Sequence, residues 1–507
     1  MSVFRHVHNR RSAMNRGRCS FVLECLSCIV IAFASGGLLY SADRPELTRL
    51  FPAGGQAGTV VAVEATGKFP IWPIQAWSDT ELIQWTCEEV SGKLKATIDA
   101  NATPGLHWLR LHHPNGATSV RPFLVGNAVE RVEVEPNNRV AEANTVATLP
   151  ATVQGVLGKR GDVDLVSIAM TAGQIMVATV DSATMLRSPL DASLQILDAG
   201  GFVLVENMDR FGLDPSVEFK PTLDGKYFVR VFGFPTTPDS TIAFGGGADW
   251  IYRLRLEPGS DSMFSHWQPN PNDGRTVRIL EPGEAIGLDS AFSIELPAWI
   301  RGTIAQPAQQ RFLRFRCNSG QQYRIQLVAR EKGSDLDGTI AILDGAGKQQ
   351  SQQDDVGNER DPDLIWKAPA DGEYVIAIKD FHLGGGPRYD FDLLVESLMA
   401  DFKVSVSNDL IQGVVGKETE LQVKLDRIAD FTDEIEVGLQ GAPEGVECPI
   451  VKSIHGTDTA KKVTLRIKSS VPNQGPIKVF ARSGDGIKVR FAQVDDGKPL
   501  WLSNVAE

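Results

Sequence analysis

The chain has 507 residues, of which 42% are hydrophobic and 22% charged, an ordinary globular composition long enough for several domains with separate cores. Its formal net charge is −12, and beyond residue 42 there are 46 basic and 62 acidic residues, a balance that argues against nucleic acid and other anionic polymers as partners. Of six cysteines, Cys19, Cys25 and Cys28 lie in the first 42 residues, while Cys87, Cys317 and Cys448 fall in three different predicted domains, which leaves no pair for a disulfide within a domain and no zinc-like spacing.

The N-terminus carries Arg5, Arg10, Arg11, Arg16 and Arg18, then Glu24, then an apolar stretch from Cys25 to Ala42. A basic head on an apolar stretch predicts a secretion signal over residues 1–42, with Ala32-Phe-Ala34 or Tyr40-Ser-Ala42 at the cleavage site. The competing expectation is an uncleaved membrane anchor, because 18 uncharged residues approach the roughly 20 that span a bilayer. Either way the remainder is expected to be secreted, periplasmic or on the cell surface, touching a membrane only through this segment.

Residues 43–126 alternate apolar and polar positions in short runs, such as Lys93-Leu-Lys-Ala-Thr-Ile98 and His107-Trp-Leu-Arg-Leu-His112, separated by Gly54-Gly55, Pro104-Gly105 and Asn115-Gly116. Period two with Gly and Asn at the reversals predicts strands and tight turns. Residues 127–257 read the same way, with six or more strand-like runs from Asp164-Leu-Val-Ser-Ile-Ala-Met170 to Ile251-Tyr-Arg-Leu-Arg-Leu256, which predicts a β-sandwich of jelly-roll type. Residues 258–296, with Pro258-Gly, Pro269-Asn-Pro-Asn-Asp-Gly and Pro282-Gly, read as a connector in which Thr276-Val-Arg-Ile-Leu280 and Phe292-Ser-Ile-Glu-Leu296 could still form strands. A second sandwich is expected over 297–397 and an immunoglobulin-like one over 398–507. The predicted fold class is all-β, a tandem series of β-sandwich modules.

Residues 297–397 repeat residues 127–257. Pro150, Gly155, Gly173 and Gln174 recur as Pro297, Gly302, Gly320 and Gln321, and Asp214-Pro215 and Asp224-Gly225 recur as Asp361-Pro362 and Asp371-Gly372, all 147 residues on. Chance does not hold register across such scattered landmarks.

In residues 127–257 the order Glu133-Val-Glu-Pro-Asn-Asn138, Gly161-Asp-Val-Asp164, Ala172-Gly-Gln, Asp214-Pro and Asp224-Gly-Lys-Tyr227 resembles the bacterial pre-peptidase C-terminal domain. Residues 43–126, opening on Phe51-Pro-Ala-Gly-Gly-Gln-Ala-Gly58, resemble the small immunoglobulin-like IPT/TIG domain, and the C-terminal module is similar to those that follow such domains in planctomycete-type secreted proteins. Alternation places Glu133, Glu135 and Asn137 on one side of an extended chain, and Asp162 and Asp164 offer oxygens from another segment, a gathering that suits calcium with its six to eight hard ligands. The resemblance implies the same site: in the related domains of bacterial collagenases this acidic run, here Glu133, Glu135, Asn137 and Asn138, and the acid pair after it, here Asp162 and Asp164, hold calcium. The alternative is a solvated turn. In the second copy Asp162 and Asp164 correspond to Gln309 and Arg311, so the site is expected in the first alone.

Other candidates carry less. Asp198, Asp214 and Asp224 and their repeats Asp344, Asp361 and Asp371 are expected to hold turns. His107, His112 and His113 cannot converge from one strand on a metal. Trp72, Trp77, Trp85 and Trp108, and Phe232, Phe234, Phe244 and Trp250 beside a Gly-rich loop, are either core or faces for a sugar or protein partner. No Gly-x-Ser-x-Gly, His-Glu-x-x-His, P-loop or dinucleotide fingerprint is present, so no catalytic residue is assigned. The expected function is non-catalytic binding, adhesion or spacing outside the cell, calcium-stabilised, toward an extracellular polysaccharide or protein and accessory to a secreted peptidase; the alternatives are an unrecognised hydrolase and a structural envelope component.

Overall fold

Strand follows strand because the sequence repeats apolar residues at every second position and turns on Gly, Asp or Asn. Lys93–Ile98 buries Leu94, Ala96 and Ile98 and exposes Lys93, Lys95 and Thr97. The computed structural model describes residues 44–210, 212–235, 244–259, 277–330, 334–355, 361–494 and 497–506. The predicted leader, 1–42, lies outside the described residues. Among these the α-helix is confined to Ala183–Leu186, and no helix is long and apolar enough to cross a membrane.

Four apolar cores divide the chain into four sandwiches, around Leu94 and Leu109, Leu194 and Leu254, Ile325 and Leu393, and Val423 and Leu465. The second sandwich has one sheet in the order Val129–Val132, Ala151–Val156, Ile251–Pro258, Met176–Asp181, Ser216–Phe219, and another in the order Asn144–Val146, Asp164–Met170, Gly225–Phe234, Asp191–Leu197, Val203–Asn207. From Ala151 onward these eight strands have jelly-roll order, and each sheet gains one N-terminal edge strand that pairs in parallel.

The third sandwich repeats this strand for strand, from Val277–Ile279 and Ala298–Thr303 in one sheet to Phe292–Ser293 and Gln310–Cys317 in the other. This corrects the connector expected over 258–296: residues 277–296 supply the two parallel edge strands of the third sandwich. These strands are three and two residues long and take up only part of the runs 276–280 and 292–296 that the sequence offered as strands.

The contact between the first and second sandwiches is both apolar and polar. Ala53 and Leu124 pack with Leu186 and Ile251, and Gln154 accepts from Ala53 N at 2.8 Å and donates to Gly54 O at 2.9 Å; within the second sandwich Arg253, 3% exposed, pairs with Glu130 and lies 3.7 Å from Asp181. The first sandwich also meets the last: fully buried Arg110 donates to Asp409 at 2.5 Å and its guanidinium lies over Trp501, whose ring also touches Trp77 and His112.

Candidate metal centre

At one end of the second sandwich the chain leaves the edge strand Val129–Val132 and crosses to the opposite sheet at Asn144–Val146. Glu133, Glu135, Asn137 and Asn138 lie on this crossing. Its position is fixed by backbone bonds, Glu133 N to Gln154 O at 3.0 Å and Leu165 N to Asn137 O at 3.1 Å, and by Asn144, whose side chain accepts from Val134 N and donates to Val134 O. Asp162 and Asp164 approach from the loop that closes on the strand Asp164–Met170.

One oxygen each from Glu133, Glu135 and Asp164 lie within 4.8 Å of one another. Glu133 Oε1 accepts from Val156 N at 2.6 Å, and its Oε2 accepts from Asn137 Nδ2 at 3.1 Å and from the Tyr252 hydroxyl at 3.0 Å. The same hydroxyl lies 2.8 Å from Asp164 Oδ2. A phenol has one proton, so it can serve only one of the two carboxylates at a time. Burial, then the neighbouring Glu133, push the Asp164 carboxyl up to about 9, burial raises Glu133 as well, and Tyr252 is held well above its ordinary range. Without a cation the pair keeps a proton at neutral pH.

Three side-chain oxygens of these residues, Asn137 Oδ1, Asn138 Oδ1 and Asp164 Oδ1, are buried and accept no hydrogen bond, and Asn137 and Asp164 are each 1% exposed. A buried acceptor left unpaired costs on the order of 1–3 kcal/mol, and a cation with oxygen ligands is a group that would satisfy such oxygens. Asp162 acts from behind this group: Oδ2 accepts from Gly158 N at 2.8 Å and Oδ1 from Asn138 Nδ2 at 3.3 Å, which orients the Asn138 amide. Glu133, Glu135, Asn137, Asn138 and Asp164 thus fit as ligands, with Asp162 as their support.

Tyr252 was not among the expected residues, since a tyrosine in an alternating strand reads as core. The repeat carries its signal. Tyr252 pairs with Gly155, where a Cβ would lie 2.2 Å from the ring, and Gly302 pairs in the same way with Phe391. The copy therefore keeps the ring and loses the hydroxyl. Leu280 stands where Glu133 does, each donating its N–H to the neighbouring strand at Arg301 O and Gln154 O, and Ala285 stands for Asn137, accepting from Phe312 N as Asn137 accepts from Leu165 N. Arg311, fully buried, donates to Thr303 O at 2.8 Å and 3.0 Å, to Glu281 O at 3.2 Å and to Glu284 O.

The remaining expectations resolve into structure. Asp198 and Asp344 each accept two backbone N–H groups within their own turns, whereas Asp214 accepts from Ser182 N and Thr184 N, Asp361 from Ala329 N and Arg330 N, Asp224 from Ala172 N and Asp371 from Ser319 N, so these four tie separate segments together instead of closing a turn. Trp108, Phe232 and Trp250 are buried, Trp85 stacks on Phe123 and Trp77 on Trp501, so these rings fill cores and contacts between sandwiches; of the eight only Phe244 is exposed. The Gly-rich loop beside it is glycine for proximity, because a Cβ on Gly246 would lie 1.9 Å from Lys159 O in the loop that carries Asp162. Cys87, Cys317 and Cys448 are free.

No protein-family model matches the chain. A probable subtilase-type serine protease from Deinococcus radiodurans is 36% identical over 115 residues, which are 22% of this chain and 16% of that protein, so the chain spans a small part of this relative's length. Among solved structures it is similar to the pre-peptidase C-terminal domain of a collagenase from Bacillus anthracis (16% identity, 25% of this chain and all of that one, TM-score 0.17). It is also similar to the fibronectin(III)-like modules of Clostridium thermocellum CbhA (10% identity, 37% of this chain and 88% of that one, TM-score 0.14).

Proposed function

We propose that the chain is a non-catalytic, exported binding or adhesion protein, accessory to a secreted peptidase, whose second sandwich is locked by calcium at the acidic crossing. The observation that carries the calcium reading is the convergence of three carboxylates within 4.8 Å beside three buried oxygens that nothing satisfies. Calcium tolerates irregular sets of six to eight oxygens, and carbonyl-type oxygens of Asn beside carboxylates are its usual ligands. Bound there, it would supply the positive charge that lets Glu133 and Asp164 both ionise, and it would fix the crossing against the sandwich. The accessory role rests on the subtilase-type relative and on the pre-peptidase-like motif order. The surface ligand is an extracellular polysaccharide or protein.

A second reading has one observation behind it, because Glu133 and Asp164 are a carboxyl pair with room for a shared proton and the third sandwich lacks both. Such a pair is a mark of some hydrolases. Asp164 is 1% exposed, however, and a hydrolytic pair has no use for unsatisfied Asn137 and Asn138 oxygens.

Thermal unfolding of the full chain with calcium and with chelator tests the proposal, alongside Glu135→Ala combined with Asp164→Asn. Calcium is expected to raise the midpoint of the wild type and not of the variant, since only a folded-state ligand stabilises by mass action. An equal response of both proteins, or none, would sink it.

A further inference from the structure

The two sheets of the C-terminal sandwich turn different faces to solvent. The strands Glu418–Ile428 and Lys462–Ser469 expose Glu420, Gln422, Lys424 and Arg466, charges of both signs and no large apolar side chain. The other sheet, in the order Val451–Ser453, Ile435–Gln440, Lys478–Ser483, Val489–Phe491, turns an apolar row outward. Register sets that row: Gly438 pairs with Phe480 and Phe480 with Phe491, while Ile450 comes within 3.3 Å of where a Gly438 Cβ would stand. Glycine is needed there because the Phe480 ring lies over it, and a Cβ would sit 2.9 Å from two ring carbons. Ile450 is 50% and Phe491 46% exposed, and Val489, on the same side of the sheet, is 44%. An apolar patch of this kind marks a contact surface.

The next row along the strands reads Lys452, Glu436, Arg482, Val489. Glu436 accepts from Arg482 Nε at 2.7 Å, and Lys452 pairs with Glu434 at 2.6 Å. On the far side of the apolar row Lys478 follows Gln440, its ammonium over the Phe491 ring. Acids and bases nearly balance on this face. In a chain of net charge −12, two copies meet here without the repulsion that the surface as a whole produces.

We propose that a second copy of this chain covers this face, the two sheets stacked about a two-fold axis that runs along the strands, between Ile435–Gln440 and Lys478–Ser483. Under that axis each inner strand lies over the other inner strand of the partner, so the contacts are reciprocal. Glu436 meets the partner's Arg482, Phe480 the partner's Gly438, Ile450 the partner's Phe491, and Lys452 the partner's Val489. No like charges face each other. An axis across the strands would instead set Arg482 over the partner's Lys478, so charge order selects the first arrangement. The face is four strands wide and roughly 20 Å on a side, small beside the roughly 800 Å² that each partner of a standard interface buries, which makes the dimer concentration-dependent. The contact uses no residue of the acidic crossing and stands independently of the calcium reading.

Sedimentation velocity of the full chain from about 1 to about 200 μM, in calcium and in chelator, tests it. The average mass is expected to rise with concentration from monomer to dimer and to stop there, because a two-fold contact closes. Phe491→Lys, which sets a charge against the partner's Ile450, should raise the dissociation constant at least about tenfold. Glu436→Arg should do the same, and adding Arg482→Glu to it should restore association, since the exchange rebuilds the pair within each sheet and the pair across the axis. Glu420→Arg, on the opposite sheet, should leave association unchanged. The exchange decides the matter if a single variant does not fold. Growth beyond two copies, a dimer indifferent to Phe491→Lys or lost in Glu420→Arg, or an exchange that fails to restore it overturns the proposal. So does a chain that stays monomeric throughout, which would leave the face to a different protein.

Discussion

The second and third sandwiches have the same strands in the same order, yet the ends they close with are chemically opposite. In the second sandwich one oxygen each of Glu133, Glu135 and Asp164 lie within 4.8 Å of one another, the Tyr252 hydroxyl lies between Glu133 and Asp164, and Asn137 Oδ1 accepts no hydrogen bond. In the third, Leu280, Ala285, Arg311 and Phe391 take those places, and the Arg311 guanidinium reaches the carbonyls of Glu281, Glu284 and Thr303. The crossing segment is pinned to the sandwich in both. In the third sandwich the chain itself supplies the positive charge through Arg311; on the calcium proposal the second would take its own from a bound cation. Glu133, Asn137, Asp164 and Tyr252 are all exchanged, whereas Gln309 keeps the part of Asp162, accepting from Ala305 N at 2.6 Å as Asp162 accepts from Gly158 N at 2.8 Å; a half-converted set of charged groups would leave charges unpaired.

The comparison predicts where each copy breaks. Arg311→Met removes a fully buried guanidinium that donates to three backbone carbonyls and should cost about 3 kcal/mol, equally with calcium and with chelator. A loss that calcium repaired would show that the third sandwich also binds a metal. Asp164→Asn should be calcium-dependent in the opposite sense. At calcium about 100 times the dissociation constant the wild type gains about 2.7 kcal/mol that the variant lacks, whereas in chelator the variant, free of a crowded buried carboxyl pair, should unfold at the wild-type midpoint or above it.

A third test uses pH. Because the folded-state values of Asp164, at about 9, and Glu133 are raised above those of the unfolded chain, the folded apo protein binds more protons. Their contribution to stability is then full below the unfolded values near 4 and lost as pH rises through the folded ones. In chelator the midpoint should fall from this source between about pH 5 and pH 9. Calcium competes with the retained proton, so the difference between calcium and chelator curves should widen over the same range; a constant difference would separate the cation from this pair. Tyr252→Phe reproduces the residue of the other copy and should have the smallest effect. About 1 kcal/mol is expected in chelator from the lost hydroxyl, with the ring's packing against Gly155 kept.

The repeat was legible in the sequence because its landmarks are residues whose backbone roles allow few substitutes: Asp214 and Asp361 bind backbone amides of a segment about 30 residues earlier, and Gly155 and Gly302 sit under aromatic rings. Glu133, Glu135, Asp162 and Asp164 were legible as acids at regular spacing, and Arg311 as their opposite. Tyr252 was not, since its polar role depends on which strand lies across from it. Nor could the sequence show that Asn137 and Asn138 end up with unsatisfied oxygens, which is a property of burial. The edge strands Val277–Ile279 and Phe292–Ser293 escaped as members of the third sandwich because parallel pairing at an edge asks only for a few extended residues, not for an alternating face.

The contact between Arg110 and Asp409 joins residues 299 positions apart. During synthesis the first sandwich is therefore complete long before its guanidinium acquires a counter-charge, and the surface that carries Arg110 and Trp77 stays wet until the last sandwich emerges and folds. Closing so large a loop is slow compared with pairing neighbouring strands. Chains cut short after the third sandwich would leave that surface open to whatever apolar or acidic segment is nearby, so the fourth sandwich acts as a cover for the first.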